Sequence, residues 1–402
     1  MAPARPVPNG EPIPGATNAE ETKPGVYLHF PFCRRRCLYC DFQTFPVAEM
    51  MPGYTETVYR EACFREELQG DVFRDPDTIF LGGGSPSLLT IPSLTALLRN
   101  LRTRLNVAPA CETTLEVNPE DVDSAMVAGW RAAGINRISL GVQTMQAAIL
   151  RRVQRAGGPA MVRQAMHLLR RGGFENVNCD LILGLPGETG KTWRETLDDT
   201  LALAPDHLSV YLLEIHENGR LSAAGFHDPV SGLTEDDLAD LYLETRQTLQ
   251  EHGLKQYEIS NFARPGRTCR HNLKYWSLAS VLGLGAGAHG FDGRCRWRNA
   301  ADPREYQRAL MSGQDPECWR DDGHISLRME EFVFLGLRRS SGIDLREFRQ
   351  RFGQEFPASW CRRLKKFVER KLLLSHNKTL RLLPAGMLLS NEIFQSITTK
   401  EP

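Results

Sequence analysis

Tyr27-Leu28-His29-Phe30-Pro31-Phe32-Cys33-Arg34-Arg35-Arg36-Cys37-Leu38-Tyr39-Cys40 carries three cysteines in fourteen residues, spaced Cys-x3-Cys-x2-Cys, directly after a short apolar run that reads as a β-strand. Three thiolates on one tight loop can each bind one iron of a cubane cluster and leave the fourth iron open. An open position separates a metal site that does chemistry from one that only ties a fold together. A zinc staple in its usual pattern needs a second closely spaced cysteine pair, and none follows. The residues alone leave two further readings open: a chance cysteine cluster, and a zinc ion completed by a distant His or Cys.

Around this loop lies a chain of 402 residues, long enough for about two domains. It is 41% hydrophobic and 24% charged, with 49 basic residues balancing 49 acidic ones. That is an ordinary globular composition, and it gives no bulk electrostatic reason to expect nucleic acid as a partner. No apolar run approaches the roughly 20 residues of a transmembrane segment, and the N-terminus lacks a basic-then-apolar signal sequence. Residues 1–24, rich in Pro and Gly, read as a disordered tail. The ten cysteines are scattered apart from the loop, which suits a reducing, cytoplasmic location better than a disulfide framework.

Downstream the chain alternates short apolar runs with longer amphipathic ones. Strands are expected near 25–30, 78–83, 112–118, 137–143, 176–183 and 207–214, with helical patterns between them such as Tyr54–Leu68, Ser93–Leu105 and Pro159–Arg171. This alternation predicts βαβ units and a parallel sheet in an α/β fold. Periodicity alone does not separate an open sheet from a barrel. Polar residues recur where these strands end: Gly82-Gly83-Gly84-Ser85-Pro86 after the second, Glu116 and Asn118 on one face of the third, Ser139 and Gln143 on the fourth, and Asn176, Asn178 and Asp180 on the fifth. In an α/β barrel that end of the strands carries the functional groups.

The run Tyr-x-His-x-Pro-Phe-Cys-x3-Cys-x-Tyr-Cys resembles the radical S-adenosylmethionine (SAM) superfamily, and within it the branch of oxygen-independent coproporphyrinogen III dehydrogenase and the HemW-type haem chaperones. The resemblance implies a partial, six-stranded (β/α) barrel with a [4Fe–4S] cluster on Cys33, Cys37 and Cys40. In that superfamily SAM is chelated on the open iron and cleaved to a 5′-deoxyadenosyl radical when the cluster is reduced; the resemblance implies the SAM site here and leaves the cleavage open. Matched residue by residue, Gly83, Gly84 and Ser85 correspond to the turn that contacts the methionyl part of SAM. Tyr27, Glu116, Gln143, Arg155 and Asp180 correspond to further SAM contacts, and Tyr39 to an aromatic over the adenine. Arg155 suits a carboxylate better than a lysine would.

One motif points elsewhere. Gly184-Leu-Pro-Gly-Glu-Thr-Gly190-Lys191-Thr192 follows a strand and opens a helix like a phosphate-binding P-loop, but its first glycine is one residue too early and Leu185 holds the required place. It reads as a helix-start turn.

The domain expectation is a tail over 1–24, the barrel over 25–232, a linking region over 233–300 and a C-terminal unit over 301–402. Thr234–Gly253 reads as a capped helix and Gln256–Ala263 as a strand-like run. The following His271-Asn272-Leu273-Lys274-Tyr275-Trp276 resembles a HemW-type motif tied to haem binding, so the resemblance makes His271 the haem ligand, with His289 competing. From the residues alone, His271 reads as a hydrogen-bonded structural histidine. The last hundred residues carry helical patterns at Asp302–Ser312, Arg328–Arg338, Asp344–Phe352 and Pro357–Lys371, then a strand-like run from Thr379. They resemble the small, mostly helical, winged-helix-like C-terminal domain of the same family, expected to close the open side of the barrel near a tetrapyrrole.

Two functions follow from the resemblance: a haem chaperone that binds haem and passes it to acceptor haem proteins, or a dehydrogenase that decarboxylates coproporphyrinogen III. The dehydrogenases carry a fourth cysteine two residues after the third, where this chain has Phe42, and they carry a substantial N-terminal extension. The chaperone is therefore the expectation, and dehydrogenase activity is not expected. Expected partners are haem, haem-acceptor proteins and an acidic electron donor of the flavodoxin or ferredoxin type, drawn by Arg34, Arg35 and Arg36. A homodimer is left open, and no nucleic acid is expected.

Overall fold

The computed structural model describes residues 23–47, 53–226, 232–321 and 323–398. All but the last two residues of the expected tail lie outside them. Six strands follow the expected runs closely: β1 (Gly25–Phe30), β2 (Thr78–Gly83), β3 (Glu112–Val117), β4 (Arg137–Gln143), β5 (Val177–Leu183) and β6 (His207–Leu212). They pair in sequence order, all parallel. Each strand leaves its C-terminal end through a loop into a helix that returns along the outside, as parallel neighbours require. The helices start where the side chains dictate. Thr90 accepts from the Ser93 amide at 3.3 Å, Asp123 from Met126 at 2.7 Å, and Thr189 closes a capping box with Thr192. Their inner faces, for instance Leu94, Leu97, Leu98 and Leu101 on Ile91–Arg104, are buried against the outer side of the sheet.

The sheet extends beyond the six on both sides. β8 (Asn261–Ala263) pairs antiparallel with β6 and carries β7 (Lys255–Gln256) antiparallel on its outer side, while β9 (Val281–Leu284) lies parallel to β1 and leads to β10 (His289–Phe291), β11 (Arg296–Asn299) and β12 (Glu317–Arg320). Residues 233–300, with β12 from the stretch expected in the C-terminal unit, therefore build both margins of one twelve-stranded sheet. The glycines that masked β9 in the sequence are what let it pack: a Cβ on Gly283 would stand 1.9 Å from the His289 carbonyl oxygen. The run Gln256–Ala263 is broken in two because the Glu258 carboxylate turns back to accept from the Ser260 amide (2.9 Å) and the Asn261 side chain (2.5 Å).

The C-terminal helices Ile325–Arg338, Leu345–Phe352, Ala358–Glu369 and Ser390–Thr398 surround a second core with a three-stranded sheet of Ile343–Asp344, Thr379–Leu382 and Leu373–His376. The wing is the hairpin of the last two. Phe332, Phe348, Phe352 and Trp360 fill this core together with Leu278 and Phe291 from the sheet margin. Arg328, buried, pairs with Asp321 and Glu331 beside it. With its apolar face spent there, the unit contributes no residue, among the described residues, to the main cavity. It props the margin of the sheet and does not cover the open side expected from the sequence.

Candidate cofactor and ligand cavity

The C-terminal ends of β1 to β6 open into a cavity of about 1140 Å³, above the roughly 300–1,000 Å³ of a single small-ligand pocket. The three loop cysteines, the nine residues matched to SAM contacts and His271 all line it, whereas Gly82, Asn176 and His289 do not.

The cysteine loop is tied down at both ends. Phe32–Cys33 pairs with Phe45–Pro46, Leu38 donates to the Val153 carbonyl at 3.0 Å, and Arg220 donates to the carbonyls of Arg36 and Cys37 at 2.5 and 3.1 Å. A chain of polar contacts joins two of the sulfurs. The Ser85 hydroxyl faces Cys33 Sγ at 3.6 Å and accepts from Asn118 Nδ2 at 2.9 Å; Arg155 donates to Asn118 Oδ1 at 2.9 Å and faces Cys37 Sγ at 4.0 Å. Donors aimed at sulfur stabilise thiolate over thiol. Burial pushes the Cys33 and Cys40 thiols up, so a bound metal would displace their protons. Among the described residues no three His, Cys, Asp or Glu side chains converge on a single ion. Thiolates on different irons of one cubane need not converge, and this loop of three thiols at a cavity fits such a cluster. Tyr39 packs on Ile149, Val153, Ile182 and Leu185.

The glycine turn is zipped onto the strand that feeds the loop: Gly84 and Ser85 amides donate to the carbonyls of Phe30 and Phe32, both at 2.8 Å. Gly83 has φ +112° with its would-be Cβ 2.6 Å from the His29 ring, and a Cβ on Gly84 would stand 2.6 Å from the Phe32 carbonyl oxygen. Both positions need glycine first for this packing. Tyr27 bonds His29 Nδ1 through its hydroxyl at 2.9 Å. Gln143, at φ +67°, holds a left-handed conformation where β4 loses register with β5. Such strain in a non-glycine residue persists only where the surroundings impose it.

Two carboxylates face each other across the barrel. Asp180 accepts from Ser139 and from Asn178, both at 2.8 Å. Glu116 accepts only the Gly83 amide at 3.0 Å, and burial with the charge of Asp180 pushes it up to about 8 against the pull of that amide and Arg137. Its folded value lies above the unfolded one, so the native state binds the extra proton and stability falls as pH rises through that window, by at most roughly 1.4 kcal/mol per pH unit. Thermal unfolding of the metal-free protein at pH 5 and pH 9 should show Glu116→Gln gaining on the parent at the higher pH. An equal difference between the two proteins at both pH values would remove Glu116 as the cause.

His271 sits at the opposite end. Helix Arg270–Trp276 plugs the floor, its first amides bound by Glu112 and its Lys274 paired to Asp77 at 2.6 Å. The His271 ring, 1% exposed and stacked on Phe80, contacts Thr78 through Nδ1 at 2.9 Å and Tyr275 through Nε2 at 3.2 Å. Burial, Lys274 and Arg137 lower it to about 3. Both nitrogens are engaged, so coordination of iron requires one bond to break. His289, at the sheet margin, is exposed. Of the three loop arginines only Arg35 points free among the described residues: Arg34 pairs with Asp121 at 3.1 Å and Arg36 donates to the Cys40 carbonyl at 3.3 Å. The P-loop-like turn is closed on itself, since the buried Glu188 carboxylate takes the Gly184 amide at 2.7 Å.

Sequence reasoning missed Arg137, Ser209 and Tyr211, which also line the cavity. Arg137 shares the parity of Ser139 and Gln143 on β4, and Ser209 and Tyr211 share one face of β6, so the two-residue period contained them.

Comparisons with known proteins agree with this architecture. Residues 27–200 match the radical SAM superfamily and residues 327–389 the HemN C-terminal domain. Escherichia coli coproporphyrinogen III oxidase, described as a radical SAM enzyme, superposes with TM-score 0.82 at 22% identity over 94% of this chain and 91% of that one. The class is thus a radical SAM protein with a HemN-type C-terminal unit. The heme chaperone HemW of Bacillus subtilis is 32% identical over 92% of this chain and 97% of its own length, and that of Escherichia coli 36% identical over 74% and 78%. Bovine mitochondrial radical S-adenosyl methionine domain-containing protein 1 is 29% identical over 97% and 89%. The chain belongs to the HemW heme chaperone family. Among the described residues no helix is long and apolar enough to cross a membrane.

Proposed function

We propose that this protein binds haem and hands it to haem-acceptor proteins, holding a [4Fe–4S] cluster on Cys33, Cys37 and Cys40 with SAM in the barrel cavity. The observation that carries the reading is that the cysteine loop, the polar strand ends and an exposed apolar rim meet in one cavity, in a chain alike over nearly its whole length to proteins named heme chaperones. When bound, the cluster would supply single electrons to the sulfonium of SAM. The chain's own part is to place and shield. Arg155, fixed by Asn118 and the Gly141 carbonyl at 2.7 Å, would face the SAM carboxylate, and Glu116 and Asp180 its hydrogen-bond donors. The apolar packing of Tyr39 keeps water from that side. A flavodoxin- or ferredoxin-type protein would serve as electron donor.

The alternative, oxidative decarboxylation of coproporphyrinogen III, has the E. coli likeness behind it, which at 22% identity speaks for the fold alone. At the place of the dehydrogenases' further cysteine stands Phe42, 69% exposed at the cavity mouth. Cluster-loaded protein with SAM, reductant and coproporphyrinogen III under anaerobic conditions should form no protoporphyrinogen, while added haem should give a Soret band. Catalytic protoporphyrinogen formation would replace this reading with the enzyme.

A further inference from the structure

We propose that haem docks at the mouth of the cavity: arginines beside the cysteine loop hold its two propionates, Phe42, Tyr211 and Leu212 take the face of the macrocycle, and His216 presents its imidazole to the iron. This rests on the haem-binding reading above and adds where the haem sits.

A second cavity of about 450 Å³ opens beside the main one, walled by Arg35, Arg36, Arg151, Gln154, Arg155 and Arg220. Four of these residues are common to both cavities, so the two are continuous. Among the described residues its wall holds five guanidiniums and no carboxylate. Elsewhere on the surface arginines meet acids: Arg34 with Asp121 at 3.1 Å, Arg163 with Asp199 at 2.9 Å, Arg194 with Glu244 at 2.6 Å. Here Arg220 and Arg36 are anchored by loop carbonyls, while the exposed Arg35 and Arg151 have no side-chain partner among the described residues. Like charges gathered without a counter-ion repel one another, and an anion relieves that cost. The guanidinium fork matches a carboxylate in two-point contact.

Besides the arginines and the acidic Asp41 and Glu214, the main cavity is lined by an exposed apolar group. Phe42 is 69% exposed, Tyr211 42% and Leu212 38%, and all three line the main cavity. Large apolar side chains exposed singly are ordinary, but a group of them at a cavity rim marks a binding surface. A ligand with a flat apolar body and two carboxylates along one edge satisfies both halves at once, and haem has that form. Two histidines line the main cavity. His271 is buried with both nitrogens bonded. The His216 side chain is 63% exposed, with Nε2 3.8 Å from an Asp41 carboxylate oxygen. At 3.8 Å that carboxylate is an ion-pair neighbour and not a hydrogen-bond partner, so among the described residues the ring of His216, unlike that of His271, has no hydrogen bond to break before it meets a metal.

The test is a titration of cluster-loaded protein with haem and with haem dimethyl ester, whose propionates are uncharged. The parent protein should prefer the diacid by roughly tenfold or more. Arg35→Glu combined with Arg151→Glu, which breaks no contact in the fold, should lose that preference and keep the cluster absorption. Phe42→Ser should weaken both ligands alike, and His216→Ala should shift the Soret band. Equal affinity of the parent for diacid and diester overturns the proposal, as does parental haem affinity in the double variant. If that variant keeps haem but is reduced more slowly by a flavodoxin-type donor, the arginines serve an acidic protein instead and the proposal falls. A Soret band unmoved by His216→Ala removes the mouth as the seat of the iron. No haem binding by the parent protein would overturn the haem-binding reading itself.

Discussion

Alanine at Cys33, Cys37 or Cys40 is expected to abolish the broad visible absorption of the anaerobically reconstituted protein and to strip nearly all of its iron. Each thiolate would hold a different iron, so no neighbour can stand in for a missing one. The other cysteines are poorly placed to substitute: Cys111, Cys179 and Cys269 are buried, and burial pushes their thiols up. Cys63→Ala, on helix Tyr54–Gln69 away from the loop, is the control and should keep both signals. The loop itself should survive the substitutions, because Arg220, Leu38 and the short strand pair hold it without the sulfurs. A Cys37→Ala protein with parental iron and absorption would dismiss the loop as the cluster site.

Gly84→Val is expected to be the most damaging single change outside the cysteines. Its Cβ would lie 2.6 Å from the Phe32 carbonyl oxygen and 2.8 Å from both the Phe30 carbonyl oxygen and the Phe32 amide nitrogen. These are backbone atoms of the strand leading into the cysteine loop, so no side chain can swing away to make room. The two amide contacts that zip Gly84 and Ser85 to that strand would open, and the loop would lose its register over the cavity. A destabilisation of about 3 kcal/mol or more should result, read as a lowered unfolding midpoint, with poor iron uptake and loss of SAM binding. Gly82→Ala is the comparison. The nearest atoms to its Cβ belong to the Glu116 carboxyl and the Phe80 ring, at 3.0 Å, and both are side chains that can shift. If Gly84→Val unfolded like the parent, the turn would be looser than its contacts imply.

The barrel was legible because the strands are short apolar runs, four of them (β1, β2, β3 and β5) closed by Gly, Pro or Asn, and because polar residues keep one parity along them. That parity placed Glu116, Gln143 and Asp180 in one wall before any coordinates, and applied to Arg137 and Tyr211 it would have placed them too. What could not be read depends on which surfaces meet. Nothing local says that β9, inside a glycine-rich run, joins β1 through Gly25 to Leu28. Nor does the sequence say that helix Arg270–Trp276 turns His271 inward beneath Thr78. The motif around His271 suggested an open ligand, yet its environment is set by Glu112 and Asp77, more than 150 residues earlier. The C-terminal unit was recognisable from its helical stripes, but which side of the barrel it covers depended on Leu278 and Phe291 completing its core.

The exposed rim gives the same division between legible and hidden. Phe42 stands where a cysteine is expected in the dehydrogenases, and its exposure at the cavity that Tyr211 and Leu212 also line is a fact of folding. A cysteine there would join the metal-binding loop. A phenylalanine instead adds an exposed apolar ring to the cavity lining, a surface that suits the flat face of a macrocycle.

The central claim is that the protein carries haem and does not transform a porphyrinogen. The direct measurement is to load cluster-containing protein with one equivalent of haem, remove the excess, add an apo-haem protein, and follow the acceptor's Soret band together with the haem left on the donor. The account predicts that haem leaves this protein and appears stoichiometrically on the acceptor. Haem that stays bound to this protein, alongside protoporphyrinogen formed from coproporphyrinogen III in a parallel SAM-dependent assay, would contradict it.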